Sequence, residues 1–171
     1  MTLPGKLLVA APMLEDPNFY RTVVLIVEHN EDGAVGIVLN RATEDPAAKY
    51  LPGWVEHLVP PGLVHSGGPV QPEVAIGLGR STDPAALAGL VLVDPSEPPD
   101  VAAPKIRVYA GYSGWSGGQL EEELAAGTWF VLEAAPDDAF AHPDRLWSQV
   151  LRRQPGLLGA IGLYPDDARL N

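Results

Sequence analysis

The residues of this chain that could do chemistry fall into three short segments. His29 ends an apolar run beside Glu28, and Asn40-Arg41 ends the next run. Together they could form a polar cluster for acid–base work or ligand contact, the imidazole being the group that titrates near neutrality. Neighbours on a strand point to opposite faces, so Glu28 and His29 do not pair by adjacency. The plainer role for His29 is a histidine that bonds backbone at a turn. The second segment is His65-Ser66-Gly67-Gly68. Its backbone N–H groups could serve as an oxyanion hole, or its glycines could simply permit a strained turn or close packing between loops. The third is Gly111-Tyr112-Ser113-Gly114-Trp115-Ser116-Gly117-Gly118-Gln119. Read as a strand feeding a glycine-rich loop and then a helix, it could offer free N–H groups to an anion.

That third segment breaks the motifs it approaches. It lacks the Gly-Lys-Ser/Thr ending of a phosphate loop, and no Lys or Arg lies between Arg107 and Arg145. Ser113 has Gly111 two residues before it but Trp115 two after, which is not a nucleophile elbow. A tight structural turn, a small-ligand or anion site, and a serine nucleophile stay open, in that order. Tyr112, Trp115 and Trp147 are expected in the core, with Trp115 also able to cap a pocket or anchor a partner. His29, His57, His65 and His142 lack the two-to-four-residue spacing common in paired zinc ligands, so no metal site is expected. Asp137-Asp138 and Asp166-Asp167 read as solvated charges, and Glu121-Glu122-Glu123 as a first helical turn facing water.

These segments need positioning by elements that the pattern supplies. Leu7–Ala11 reads as a buried strand stopped by Pro12. Thr22–His29 and Ala34–Asn40 flank the turn Asn30-Glu31-Asp32-Gly33, which makes the clearest hairpin. Gly36 within the return strand predicts a bulge or a close backbone approach. A short helix over Pro52–Leu58 and strands over Leu63–His65, Val74–Gly79, Leu90–Val93, Ile106–Ala110 and Thr128–Glu133 follow. Residues 66–72 and 95–104 read as irregular loops. Ser116 and Gln119, three apart, predict a capping box opening a helix that Gly127 ends. Pro143 opens a second helix, to about Arg153, with Leu146, Trp147, Val150 and Leu151 as its apolar stripe. Strands without a regular strand–helix alternation, joined by a hairpin, predict an α+β fold with a mostly antiparallel or mixed sheet.

Composition bounds the rest. The 171 residues, 46% of them hydrophobic, suit one domain over 1–171 with its own core. A domain of that size buries about 70% of its unfolded surface. The chain has no cysteine, which removes disulfides, thiolate catalysis and thiolate-bound zinc. Neither a signal-peptide pattern nor a run of ~20 apolar residues is seen, so the expected location is the cytoplasm, away from membranes. With a net charge of −11 and scattered basic residues, the chain lacks the basic footprint that nucleic-acid binding needs.

Four ordered motifs resemble the YqgE/AlgH family. They are Gly5-Lys6-Leu7-Leu8-Val9-Ala10 with Pro12, Asp16-Pro17 and Phe19; Glu28-His29-Asn30 with Gly33–Arg41; Gly67-Gly68-Pro69-Val70; and Gly111–Trp115 with Gly118-Gln119-Leu120-Glu121. The Leu146-Trp147 helix also fits. The chain departs from the pattern in its Pro/Ala-rich segments 44–62 and 94–104 and its short acidic tail. The resemblance implies an α+β fold with a bifurcated sheet, including a small closed barrel, surrounded by helices. It implies a transcriptional regulator with no established catalytic residues and no cofactor. The favoured expectation is therefore a non-catalytic regulatory or interaction domain working through a protein or small-molecule partner. One alternative is a small-molecule hydrolase or transferase using the glycine loops with His29 or Ser113. The other is ligand binding without chemistry, where the Gly67–Val70 segment meets Gly111–Gln119.

Overall fold

A computed structural model describes residues 2–163, so Asp166 and Asp167 lie outside the described residues. The strands are β1 Lys6–Ala10, β2 Val23–Asn30, β3 Gly33–Val38, β4 Ala42–Pro46, β5 Leu63–Ser66, β6 Val70–Arg80, β7 Leu90–Val93, β8 Ile106–Ser116 and β9 Trp129–Glu133. The helices are α1 Gln119–Ala125, α2 Pro143–Arg152 and α3 Leu157–Ile161, with short 3-10 turns over Ala47–Lys49, Pro52–His57 and Pro136–Phe140.

The expected hairpin is β2–β3, in the register Val24 with Val38 through Asn30 with Gly33. Gly36 sits where the register slips between Ile26 and Glu28. A Cβ there would come within 2.6 Å of Val24 Cγ1, so the bulge and the close approach coincide. The strands form one mixed sheet in the order β4-β5-β8-β3-β2-β1-β9, with β6 also on β8 and carrying β7. Among the described pairs only β5–β8 is parallel. The sheet forks at β8. Its first half runs between β5 and β6, while its last four residues pair with Gly33–Gly36 of β3.

The closed barrel is not formed. Closure needs the last strand to bond the first, and no described pairing joins β4 or β7 to β9. The edge strand β4 reads Ala42-Thr43-Glu44-Asp45-Pro46 and is largely exposed. Its charges and its proline, which has no N–H, protect an edge from further pairing.

Both faces are buried along β1 and over Val23–Ile26 of β2, which explains their unbroken apolar runs. Leu7, Val9, Val23 and Leu25 pack under α2 with Leu146, Trp147, Val150 and Leu151. Trp147 Nε1 donates to Ala10 O at 2.8 Å, pinning α2 to β1. Leu8, Ala10, Val24 and Ile26 pack on the other face with Trp115, Leu120 and Trp129. Ile106 and Val108 form a smaller third cluster with Trp54 and Ala47.

Two loop expectations are corrected. Gly111–Ser116 is strand, because β3 offers Ser113–Ser116 a ladder and β6 pairs Val70 with Tyr112, and only Gly117-Gly118 turns. Of residues 66–72 only 67–69 are irregular. The capping box is half present. Ser116 is still in β8, and Gln119 Oε1 accepts its N–H at 3.0 Å, while Gly118 holds the cap position.

Candidate functional site

The two glycine segments do meet, and they meet without a gap. Gly67 N donates to Ala110 O at 2.8 Å, and Val38 N donates to Gly67 O at 2.8 Å. Gly68 has φ 150° and Gly111 φ 75°. A Cβ on Gly68 would overlap the Tyr112 backbone, and one on Gly111 would lie 2.6 Å from Gly68 O. Glycine is required at this crossing because backbone packs on backbone. Ser113 is fully buried, and its hydroxyl donates to Gly67 O at 3.3 Å. The Gly67 N–H, one of the donors that could have lined an oxyanion hole, and the Ser113 hydroxyl, the alternative nucleophile, are thus spent on the crossing itself.

The polar cluster expected around His29 divides. His29 Nε2 lies 2.5 Å from Glu121 Oε1 on α1, and this bond is the main reason the Glu121 carboxyl is held below its ordinary pKa. Asn40 sits at the far end of the hairpin. From Val23 to His29 is six residues of strand, about 20 Å. Asn40 Oδ1 accepts Val23 N–H and its Nδ2 donates to Arg21 O, both at 2.9 Å. The Arg41 guanidinium donates to Tyr20 O, and burial lowers its pKa. Asn40 and Arg41 therefore clamp the 20–23 segment and are not partners of His29.

Trp115 and Gln119 do come together, around a residue that sequence reading placed in water. Glu123 Oε1 accepts both indole N–H groups, Trp115 at 3.0 Å and Trp129 at 2.8 Å. Its Oε2 accepts Gln119 Nε2 at 2.9 Å. Phe19 closes the cluster, 6.2 Å from Trp115 and 5.6 Å from Trp129 between ring centroids. Tyr112 is half-buried on β8.

Asp138, also expected in water, is buried. It receives Arg153 at 2.6 and 3.0 Å and Ala135 N–H at 2.8 Å, because the 136–140 turn folds its carboxylate beneath α2. Behind β8, Arg107 is buried and donates to the carbonyls of Ala139, Phe140 and Ala141 at 2.8–3.2 Å. His65 is 2% exposed, with Nδ1 3.2 Å from Leu63 O and no partner for Nε2. Burial first, then the Arg107 charge, lowers its pKa to about 4. Among the described residues no group of three His, Asp or Glu is placed to hold a metal ion.

The sequence missed an apolar concavity beside β8. It is a cleft of about 340 Å³ with Val64, Val108 and Ala110 within it and Tyr50, Asp45 and Glu73 also lining it. A wider, more open basin of about 790 Å³ contains Arg80, Arg152 and Arg153. In it Arg80 is paired with Asp137 at 2.6 Å and Arg153 with Asp138. The cleft's residues come from four separated stretches of chain, and no spacing rule connects them.

An open, forked mixed sheet whose glycine motifs interlock defines an α+β protein built around a backbone crossing. The family model described as AlgH-like, DUF179, matches residues 7–158. The chain is 44% identical over 185 residues to a UPF0301 protein of Streptomyces avermitilis, covering 99% of this chain and 96% of that one. It is 41% identical over 191 residues to one of Thermobifida fusca, covering 100% and 96%. Protein DIP2367 of Corynebacterium diphtheriae has a similar structure, with TM-score 0.87, 32% identity, and 96% and 93% of the two chains covered. The solution structure of AlgH from Pseudomonas aeruginosa is similar at TM-score 0.66, with 31% identity and 89% of each chain covered. The chain belongs to the YqgE/AlgH family, the AlgH-like UPF0301 proteins.

Proposed function

We propose that this chain is a non-catalytic interaction domain of the cytoplasm, regulating transcription through a protein or ligand and not by gripping DNA. The observation that carries the reading is the glycine crossing. It consumes the Ser113 hydroxyl and the Gly67 N–H, the two groups an acyl-transfer centre would need there. His29, the other candidate acid or base, is engaged by Glu121 and has no bond to Ser113. The net charge of −11 supports a route to DNA through another molecule, since direct binding draws its affinity from cations on phosphates.

Two measurements test this. Hydrolase substrates screened against the wild type, His29→Ala and Ser113→Ala are expected to give no turnover that depends on either residue. Gel-shift titration at low salt is expected to give no sequence-selective retention of duplex DNA. Side-chain-dependent turnover, or tight selective DNA binding, overturns the proposal.

A further inference from the structure

The apolar cleft is created by a defect in the sheet. Val70 of β6 stands opposite Tyr112, and Ala75 stands opposite Ala110. Four residues, Gln71–Val74, are thereby set against the single Gly111, and they bow away from β8. Gln71 holds φ 46°, a left-handed conformation that a non-glycine residue adopts only when its surroundings enforce it. The bowed segment has no register partner in β8, which opens the space beside Val108 and Ala110.

The chemistry of the cleft is one-sided. Val64, Val108 and Ala110 make an apolar interior, and the lining holds two carboxylates, Asp45 and Glu73, with no cation. Glu44 is exposed beside Asp45. Tyr50 and Val74 are 57% and 39% exposed at the rim, leaving two large apolar side chains in water. The ring of Tyr50 already attracts an ammonium, Lys49 Nζ lying 5.4 Å from its centroid. The volume of about 340 Å³ is at the small end of ligand pockets, enough for one or two apolar side chains. In a chain of net charge −11, this field favours a cationic visitor.

We infer that the cleft between the bowed β6 segment and β5–β8 docks an extended segment of a partner protein. That segment inserts an apolar side chain between Val64, Val108 and Ala110 and sets flanking Arg or Lys residues against Asp45 and Glu73. This rests on the interaction-domain reading and gives it a place and a partner chemistry. The apolar pocket and the two carboxylates together supply selectivity.

The test titrates the isotope-labelled full chain, followed by NMR, with capped pentapeptides of sequence Arg-Leu-Arg-Leu-Arg and Glu-Leu-Glu-Leu-Glu, and with n-octylamine. The arginine peptide is expected to shift the amides of Val64, Ala75 and Ala110 saturably. The glutamate peptide is expected to leave them still. In the Asp45→Asn/Glu73→Gln variant, whose changes are on the exposed rim, arginine-peptide affinity is expected to fall at least tenfold. Equal binding of both peptides, or unchanged affinity in the variant, overturns the inference. Binding of n-octylamine without the peptide overturns it in favour of a free amine. Concentration-dependent shifts of the same amides without peptide overturn it in favour of a second copy. Peptide shifts confined to another surface remove the cleft but leave the interaction-domain reading. Turnover dependent on Ser113 or His29 removes that reading and is measured separately.

Discussion

His65 responds to pH because burial, and after it the Arg107 charge, disfavours its protonated form. In the folded chain its pKa is about 4, against an ordinary value of 6.5. Between those values the unfolded chain binds a proton that the folded chain does not. Stability is therefore fullest above pH 6.5 and falls as pH drops toward 4, at up to about 1.4 kcal/mol per pH unit. Below pH 4 both states are protonated and this contribution stops changing. In His65→Leu, urea unfolding across pH 4–7 should lose that part of the acid slope. The variant should match the wild type at pH 7 to within about 1 kcal/mol, because an unpartnered buried nitrogen leaves with the ring. An acid limb as steep as the wild type's would mean that other groups carry it. At the same scale, the Glu121 carboxyl, lowered mainly by its bond to His29, gives stability present above its ordinary pKa and lost as pH falls below it.

Helix α1 is only seven residues long, Gln119–Ala125, too short to be stable by propensity. Its hold on the sheet comes from Leu120 in the core and from Glu123, which accepts both Trp115 and Trp129. Glu123→Ala leaves two buried indole donors without that acceptor and should cost about 2 kcal/mol. Tryptophan emission should shift to the red, and Glu123→Gln should restore part of both effects. Chemical denaturation followed by fluorescence measures this; an unaltered midpoint in Glu123→Ala would show that water replaces the carboxylate. On the opposite face α2 is tied at its middle, by Trp147 to Ala10 O, and just past its last residue, by Arg153 to Asp138. The 136–140 turn is held in addition by Arg107 and Tyr109 through its carbonyls.

The whole molecule carries 22 acidic and 11 basic residues, with an isoelectric point near 4.6. At neutral pH mutual repulsion keeps copies apart, and the lowest solubility should fall near pH 4.6, where that repulsion vanishes. Turbidity against pH at constant salt checks it, and a solubility minimum above pH 6 would contradict it. The same acidity gives the cleft its preference, since Asp45 and Glu73 act within a field of matching sign. No helix among the described residues is long and apolar enough to cross a membrane.

Local pattern alone determined the hairpin, a bulge or close approach at Gly36, the start of α2 at Pro143 and the burial of β1. Each follows from spacing or from the conformational limits of one residue type, which act within a few positions of the chain. The ordered motifs likewise carried the family. What only the tertiary structure decided is which distant groups share space. Gly111–Ser116 looked like a loop because glycine is a poor strand former, until β3 and β6 paired with it. Glu123 and Asp138 looked solvated because their donors, Trp129 and Arg153, come from other elements. Ser113 looked free because Gly67, 46 residues away, had not been brought against it. The cleft was invisible because it depends on a four-to-one mismatch between β6 and β8. Register between strands is set by packing of the whole sheet and leaves no mark in either strand alone.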